Sequence, residues 1–277
     1  MRFLIIDGYD RAARERLADA GCTLAGDLYA RMARRELPEC ELEIVHPADD
    51  ADFMPAGAGL GDFDSLLWTG SSLNIYDGTP AVERQIELAR AAFDARIPSF
   101  GSCWALHIAV TAAGGECRLN PRGREFGISR DVRLTREGWG HPLFVDKPSV
   151  FDGFTSHYDD VKTLPPGSVV LAASEATEVQ AATIRFNETD FWAVQYHPEY
   201  DPREVAALAR FRADGLVKEG WFSDHDSLRA HFTDWERLHE NPGRRDLVEQ
   251  YDMGPDLLDP AVRCVEFRNW VRVLSEK

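Results

Sequence analysis

The residues Ile97-Pro98-Ser99-Phe100-Gly101-Ser102-Cys103-Trp104-Ala105-Leu106-His107 read as a short buried strand, a tight turn carrying a thiol, and the start of a helix. Free N–H groups and the dipole at a helix N-terminus stabilise negative charge, and the ionised form of a thiol is the one that attacks carbonyls. Gly101 and Ser102 are small enough for a sharp strand-to-helix turn of the nucleophile-elbow kind. Such a turn aims the Trp104 N–H into the site as an oxyanion donor, and Gly70, on a separate loop, supplies a second. Much further on, Phe191-Trp192-Ala193-Val194-Gln195-Tyr196-His197-Pro198-Glu199 reads as a strand ending in His197 and Glu199. Two residues apart in a strand, they share a face. Pro198 ends the ladder and leaves His197 exposed at the rim. A cysteine, a histidine base and a carboxylate that orients the histidine are what nucleophilic cysteine catalysis needs. The candidate catalytic residues are therefore Cys103, His197 and Glu199.

The other thiols, Cys22, Cys40, Cys117 and Cys264, lack this setting and read as small buried hydrophobes. His46, His141, His225, His231 and His239 have no visible partner pattern. No CxxC, HxxxH or His/Cys cluster suggests a metal, and nothing calls for a cofactor. Five cysteines, an odd number without paired spacing, fit free thiols in a reducing cytoplasm. The formal net charge of −16 over 277 residues excludes a phosphate-backbone binder. No stretch approaches the roughly 20 apolar residues of a membrane helix, and the apolar run at the start is too short for a signal peptide.

These residues need a scaffold. Arg2 to Ile6 reads as a central parallel strand delivering Asp7-Gly8-Tyr9-Asp10 to its C-terminal edge. Arg11 to Arg35 is helical in composition, with Gly21 and Gly26 as interruptions. Strands follow at Glu41 to His46 and Ser65 to Trp68, then a helix at Pro80 to Arg96 with proline in its first turn. The helix from Trp104 to Ala113 closes at Gly114-Gly115. The order is that of a doubly wound α/β sheet, whose ligands bind at strand C-termini. Asp7, Gly70 and Cys103 all fall at such ends. Phe126 to Leu134 and Ser168 to Leu171 read as strands. Glu178 to Phe186 and Phe191 to Tyr196 form a hairpin around Asn187-Glu188-Thr189-Asp190, all expected as antiparallel additions. From Asp201 the chain becomes helical, at Glu204 to Lys218, Ser227 to Glu240 and Ala261 to Ser275.

From Arg2 to Tyr200 the sequence resembles the class I (triad-type) glutamine amidotransferases, the glutaminase domains of GMP synthase and anthranilate synthase. Thr69-Gly70-Ser71 stands where the family has Gly-Gly-Pro, and Gly101-Ser102-Cys103-Trp104-Ala105 where it has Gly-x-Cys-x-Gly. Gly114-Gly115 and Arg124-Glu125-Phe126-Gly127 follow in place. Ser156-His157 matches a pair whose backbone holds the substrate's α-amino and carboxylate end. Val194-Gln195-Tyr196-His197-Pro198-Glu199 matches Val-Gln-Phe-His-Pro-Glu. The resemblance implies an α/β, flavodoxin-like domain, a central mostly parallel sheet flanked by helices, over residues 1–202. A helical extension over residues 203–277 packs on it. It also implies that Cys103 attacks the side-chain amide of glutamine. A γ-glutamyl thioester forms and is hydrolysed, and the ammonia passes to a separate synthetase partner.

Three departures bear on the substrate. Ala105 replaces a glycine, Thr69 and Ser71 replace Gly and Pro of the oxyanion loop, and His107 replaces a pocket glutamine. The last exchange changes the hydrogen bonding offered to glutamine. A pocket rebuilt around His107 suits a larger γ-glutamyl amide, so the alternative is a stand-alone hydrolase giving glutamate and an amine. Gly70, Trp104, His107, Ser156 and His157 are the expected oxyanion and substrate-binding residues. An inactive regulatory module is disfavoured, since it has no reason to keep nucleophile, base and orienter together.

Overall fold

A computed structural model of the chain describes residues 1–276. Its first half alternates strand and helix: β1 (Arg2–Ile6), α1 (Arg11–Asp19), α2 (Ala25–Glu36), β2 (Glu41–Val45), β3 (Ser65–Trp68), α3 (Pro80–Asp94), β4 (Ser99–Ser102) and α4 (Trp104–Ala112). Gly21, at φ 80°, divides the expected Arg11–Arg35 helix in two. Gly26 does not interrupt: it lies inside α2, and its N–H donates to the Asp7 carboxylate at 3.1 Å. The middle adds β5 (Glu116–Leu119), β6 (Glu125–Leu134), α5 (Arg136–Trp139), β7 (Val150–His157), β8 (Asp159–Thr163), β9 (Val169–Ala173), β10 (Ala181–Phe186) and β11 (Thr189–Val194). The C-terminal segment is helical: α6 (Pro202–Phe211), α7 (Ala213–Lys218), α8 (His225–Glu240), α9 (Arg245–Tyr251), α10 (Pro255–Leu258), α11 (Pro260–Arg263) and α12 (Val265–Ser275).

The main sheet runs β2-β1-β3-β4-β11-β10-β9-β6-β7, and β5 pairs with β8 in a separate ribbon. From β2 to β11 all neighbours are parallel, while from β11 to β7 they are antiparallel. One expectation needs correcting here. β11 is antiparallel to β10 but parallel to β4, with Val194 opposite Ser102. It is an interior strand beside the cysteine strand, and that insertion carries the His197 loop to Cys103. The hairpin turn is only Asn187-Glu188, both at positive φ (47° and 63°), which matches the twist of the flanking strands.

Alternation along the central strands divides the core between two faces. Leu4, Ile6, Trp68 and Phe191 pack with α3 and α4, while Phe3, Ile5 and Phe100 pack with α2 and α12. A third cluster joins Tyr9 and α1 to α6 and α8 through Leu17, Phe154, Val205, Phe232 and Trp235. Among the described residues no helix is long and apolar enough to cross a membrane.

Candidate active site

Cys103 is the hinge between β4 and α4 and sits at φ 55°, ψ −102°. Non-glycine residues seldom occupy this region, so the surroundings must hold it there. Its N–H donates to the Val194 carbonyl at 2.7 Å, and its carbonyl accepts from the Leu106 N–H at 3.0 Å. Gly101 tolerates no side chain, because a Cβ would lie 2.3 Å from the Ala105 methyl and 2.5 Å from the Trp68 oxygen. Ala105, one of the departures noted above, thus fills space that Gly101 leaves.

The loop after β3 meets this turn. A Cβ on Gly70 would lie 3.0 Å from His197 Cε1 and 3.9 Å from Cys103 Cβ. The Gly70 and Trp104 backbone N–H groups have no acceptor among the described residues. The loop is tied down by the first-strand loop: Gly8 N–H donates to Thr69 Oγ1 at 3.0 Å, and Ser71 Oγ donates to the Gly8 oxygen at 2.8 Å. Thr69 and Ser71, in place of the family's Gly and Pro, make those bonds. Asp7 stays out of the cavity; it is buried and accepts from the Tyr9 and Gly26 N–H groups.

His197 and Glu199 lie beyond the end of β11, in a turn, so a shared strand face is not what joins them. Nor is His197 exposed at the rim: it is 2 % exposed, covered by the Tyr200 ring stacked on it at 3.9 Å and 1°. The turn itself brings Nδ1 to 2.6 Å from Glu199 Oε1. Ser102 Oγ donates to the same oxygen at 2.9 Å, and Tyr29 Oη donates to Ser102 Oγ at 2.7 Å. Nε2 makes no well-formed hydrogen bond and is the nitrogen left for the thiol. Burial works to lower the pKa of His197, but the Glu199 carboxylate and the adjacent Cys103 outweigh it and raise it to about 9.

Cys103, Trp104 and His107 open onto a cavity of about 350 Å³ that is also lined by Ser71–Asn74, Ser156–Asp159, Phe211 and Arg212. His107 is buried, with Nε2 2.8 Å from Gln195 Oε1. Burial first, then the charge of His157, lowers its pKa to about 4 against the opposing Gln195 bond, so the ring is neutral at pH 7. The Ser156 hydroxyl is buried without a partner. His157 lines the wall, but both ring nitrogens are engaged: Nδ1 at 2.9 Å from the Asp159 oxygen, Nε2 at 2.9 Å from Glu125. The Glu125 carboxylate also accepts from Thr177 and Gln180. Burial pushes the Glu125 pKa up, and His157, then Ser129 and Thr177, bring it below the usual carboxylate value.

The structure therefore brings Cys103, Gly70, Trp104, His107, Ser156, His157, His197 and Glu199 together. The sequence analysis took Ser102 only as a small turn residue and not as a partner of Glu199, while Tyr29 on α2, Asp159 at the start of β8, Tyr200 and Arg212 reach the site with no local motif. The other four cysteines are free. Burial pushes Cys22 and Cys117 up to about 12 and raises Cys40 and Cys264. Among the described residues, no three His, Cys, Asp or Glu side chains are grouped to hold a metal.

The model of the class-I glutamine amidotransferase family matches residues 26–212. A gamma-glutamyl-L-1-hydroxyisopropylamide hydrolase of a Pseudomonas species is 37% identical over 224 residues, 79% of this chain and 75% of that protein. The GMP synthase of Thermotoga petrophila is 30% identical over 177 residues, which is 63% of this chain but only 31% of the synthase. Among solved structures, a glutamine amidotransferase from Thermotoga maritima superposes with a TM-score of 0.70 at 15% identity, covering 100% of this chain and 99% of that one. One from Methylobacillus flagellatus gives 0.64 at 16% identity over 99% and 93% of the two chains. These two likenesses concern the fold, and they extend over the C-terminal helices.

Proposed function

The chain belongs to the class-I glutamine amidotransferase family, and on that premise we propose that it hydrolyses N-substituted γ-glutamyl amides to glutamate and an amine through a thioester on Cys103. The observation that carries the reading is the meeting of a strained cysteine, a buried His197–Glu199 pair and two unpaired backbone N–H groups at one cavity. The substituted amide is favoured over glutamine by the Pseudomonas relative, which aligns over most of both chains and whose name specifies such a substrate.

In this reading the proton shared by Cys103 and His197 sits on His197 Nε2, and the Cys103 sulfur attacks the γ-carbonyl carbon as the thiolate. The oxygen takes up negative charge against the Gly70 and Trp104 N–H groups, which have no acceptor among the described residues. Glu199 keeps His197 Nδ1 as donor and stabilises the imidazolium. As the C–N bond breaks, the His197 proton moves to the leaving nitrogen and the amine departs. His197, now neutral, takes a proton from water, which attacks the thioester; the C–S bond breaks, glutamate leaves, and the Cys103 thiolate is again paired with the protonated His197. A pKa of about 9 makes His197 a base strong enough to keep the thiol proton until the amine needs it.

The same proposal treats residues 1–202 as the catalytic domain and residues 203–277 as a helical extension that lends Phe211 and Arg212 to the cavity. Five free thiols support a cytoplasmic setting. A second reading, glutaminase activity feeding ammonia to a separate synthetase, is supported by the likeness to GMP synthases. Steady-state assays of the isolated chain separate the two. Fast turnover of γ-glutamyl N-alkylamides with slow turnover of glutamine is expected. Negligible activity until a synthetase is added would favour the second reading. Cys103→Ala should lose about 10⁴-fold or more in kcat, and a glutamine-like electrophile should add its mass to Cys103 alone. Full activity in Cys103→Ala would overturn both readings.

A further inference from the structure

The cavity wall holds a cation with no counter-ion among the described residues. Arg212 sits at the break between α6 and α7, at φ −101° and ψ 12°, and lines the same cavity as Cys103. Its Nε is buried without an acceptor, and its guanidinium makes no ion pair among the described residues. Its neighbour Arg124, which does not line this cavity, pairs with the Glu219 carboxylate at 3.2 Å and stacks over the Tyr158 ring at 4.0 Å, although its Nε and Nη1 make no well-formed hydrogen bond. Burial and the like charge of Arg212, opposed by Glu219, lower the Arg124 pKa to about 10. The one carboxylate of the lining, Asp159, is instead bound by the Tyr76 hydroxyl at 3.0 Å. A half-buried guanidinium with an orphaned nitrogen is costly unless an anion completes it.

We propose that Arg212 is the residue of this cavity that binds a carboxylate of the substrate. The planar guanidinium offers paired N–H donors that match a carboxylate. The proposal rests on the γ-glutamyl reading above. Such a substrate offers two sources of the group: the free α-carboxylate of the glutamyl moiety, or a carboxylate on the leaving amine.

The test compares wild type, Arg212→Gln and Arg212→Lys on three substrates. These are a γ-glutamyl N-alkylamide, the matching 4-aminobutanoyl N-alkylamide that lacks the α-carboxylate, and γ-glutamylglycine. If the α-carboxylate is the partner, Arg212→Gln raises KM roughly tenfold to a hundredfold on both glutamyl substrates and leaves the decarboxylated one unchanged. If the leaving amine supplies it, only γ-glutamylglycine is affected. In either case kcat changes little, Arg212→Lys recovers part of the loss, and the thermal midpoint stays near wild type. KM values within twofold of wild type on all three would overturn the proposal. Failure of wild type to turn over any of them would instead sink the γ-glutamyl reading. Calorimetry with glutamate and with γ-glutamylglycine would then still test the site, equal Kd values for wild type and Arg212→Gln on both overturning it.

Discussion

His197 shares a proton with its surroundings on terms set by Glu199. Its folded pKa, about 9, lies above the ordinary histidine value of about 6.5. Below pH 9 the ring carries the proton that the departing amine needs, and above it that proton is lost. The kcat/KM profile should therefore fall as pH rises through about 9, a limb that belongs to the Cys103–His197 pair as a unit. Glu199→Gln removes the principal influence that raises the pKa, so the limb should move to lower pH while kcat drops. A limb that stays in place would assign the titration to another group. At this scale much was readable in the chain. Cys103, Trp104 and His107 lie within five residues along one strand–helix turn, and His197 and Glu199 are two residues apart, so local order alone groups them. Ser102 and Tyr29 are 73 positions apart, and Arg212 is more distant still from Cys103. No local pattern announces contacts that only tertiary packing creates.

The elements explain how a cysteine and its base share one support. The last residue of β4, Ser102, holds the Glu199 carboxylate, and the next residue is the nucleophile. A single strand end thus positions both ends of the proton path. Ser102→Ala should leave KM nearly unchanged and lower kcat about tenfold, the loss of one hydrogen bond to a charged group. Rescue by Ser102→Thr would distinguish positioning of Glu199 from general damage to the strand. An unchanged kcat in Ser102→Ala would remove Ser102 from the proton path. β1 and β3 were legible as short apolar runs, and β4 from the strand–turn–helix pattern around Cys103. β7 was not, because Asp152-Gly153 interrupts its pattern. Gly153 is required there since a Cβ would lie 2.9 Å from the Tyr196 ring. The break of the expected Glu204–Lys218 helix at Arg212 was equally hidden, as no proline marks it.

At the scale of the molecule, the last helix is part of the sheet's covering. Trp270 is 3% exposed and meets Phe3 at 6.1 Å and Phe100 at 5.6 Å between ring centroids. Phe267 meets Phe100 at 5.7 Å. A buried ion pair between Lys147 and Glu266, at 3.0 Å, pins the start of α12 to the loop before β7. Trp270→Ala should cost about 3–5 kcal/mol and lower the thermal midpoint by roughly 10 °C. Calorimetry at pH 7 checks the loss, and kcat measured well below the transition should be that of wild type. The apolar spacing of residues 261–275 announced a helix, but not which face of the sheet would receive it, since α2 and α12 share one side.

The uneven fate of the five thiols has a practical consequence for bench chemistry. Four are raised in pKa by burial and three of those are closed off from solvent, while Cys103 alone opens onto the cavity. With the half-buried Cys40 told apart by peptide mapping, alkylation by a small haloacetamide at neutral pH becomes a stopwatch for Cys103 in the unmodified chain. The rate at which ligands slow it ranks their occupancy of the cavity, with no engineered label and no knowledge of the true substrate.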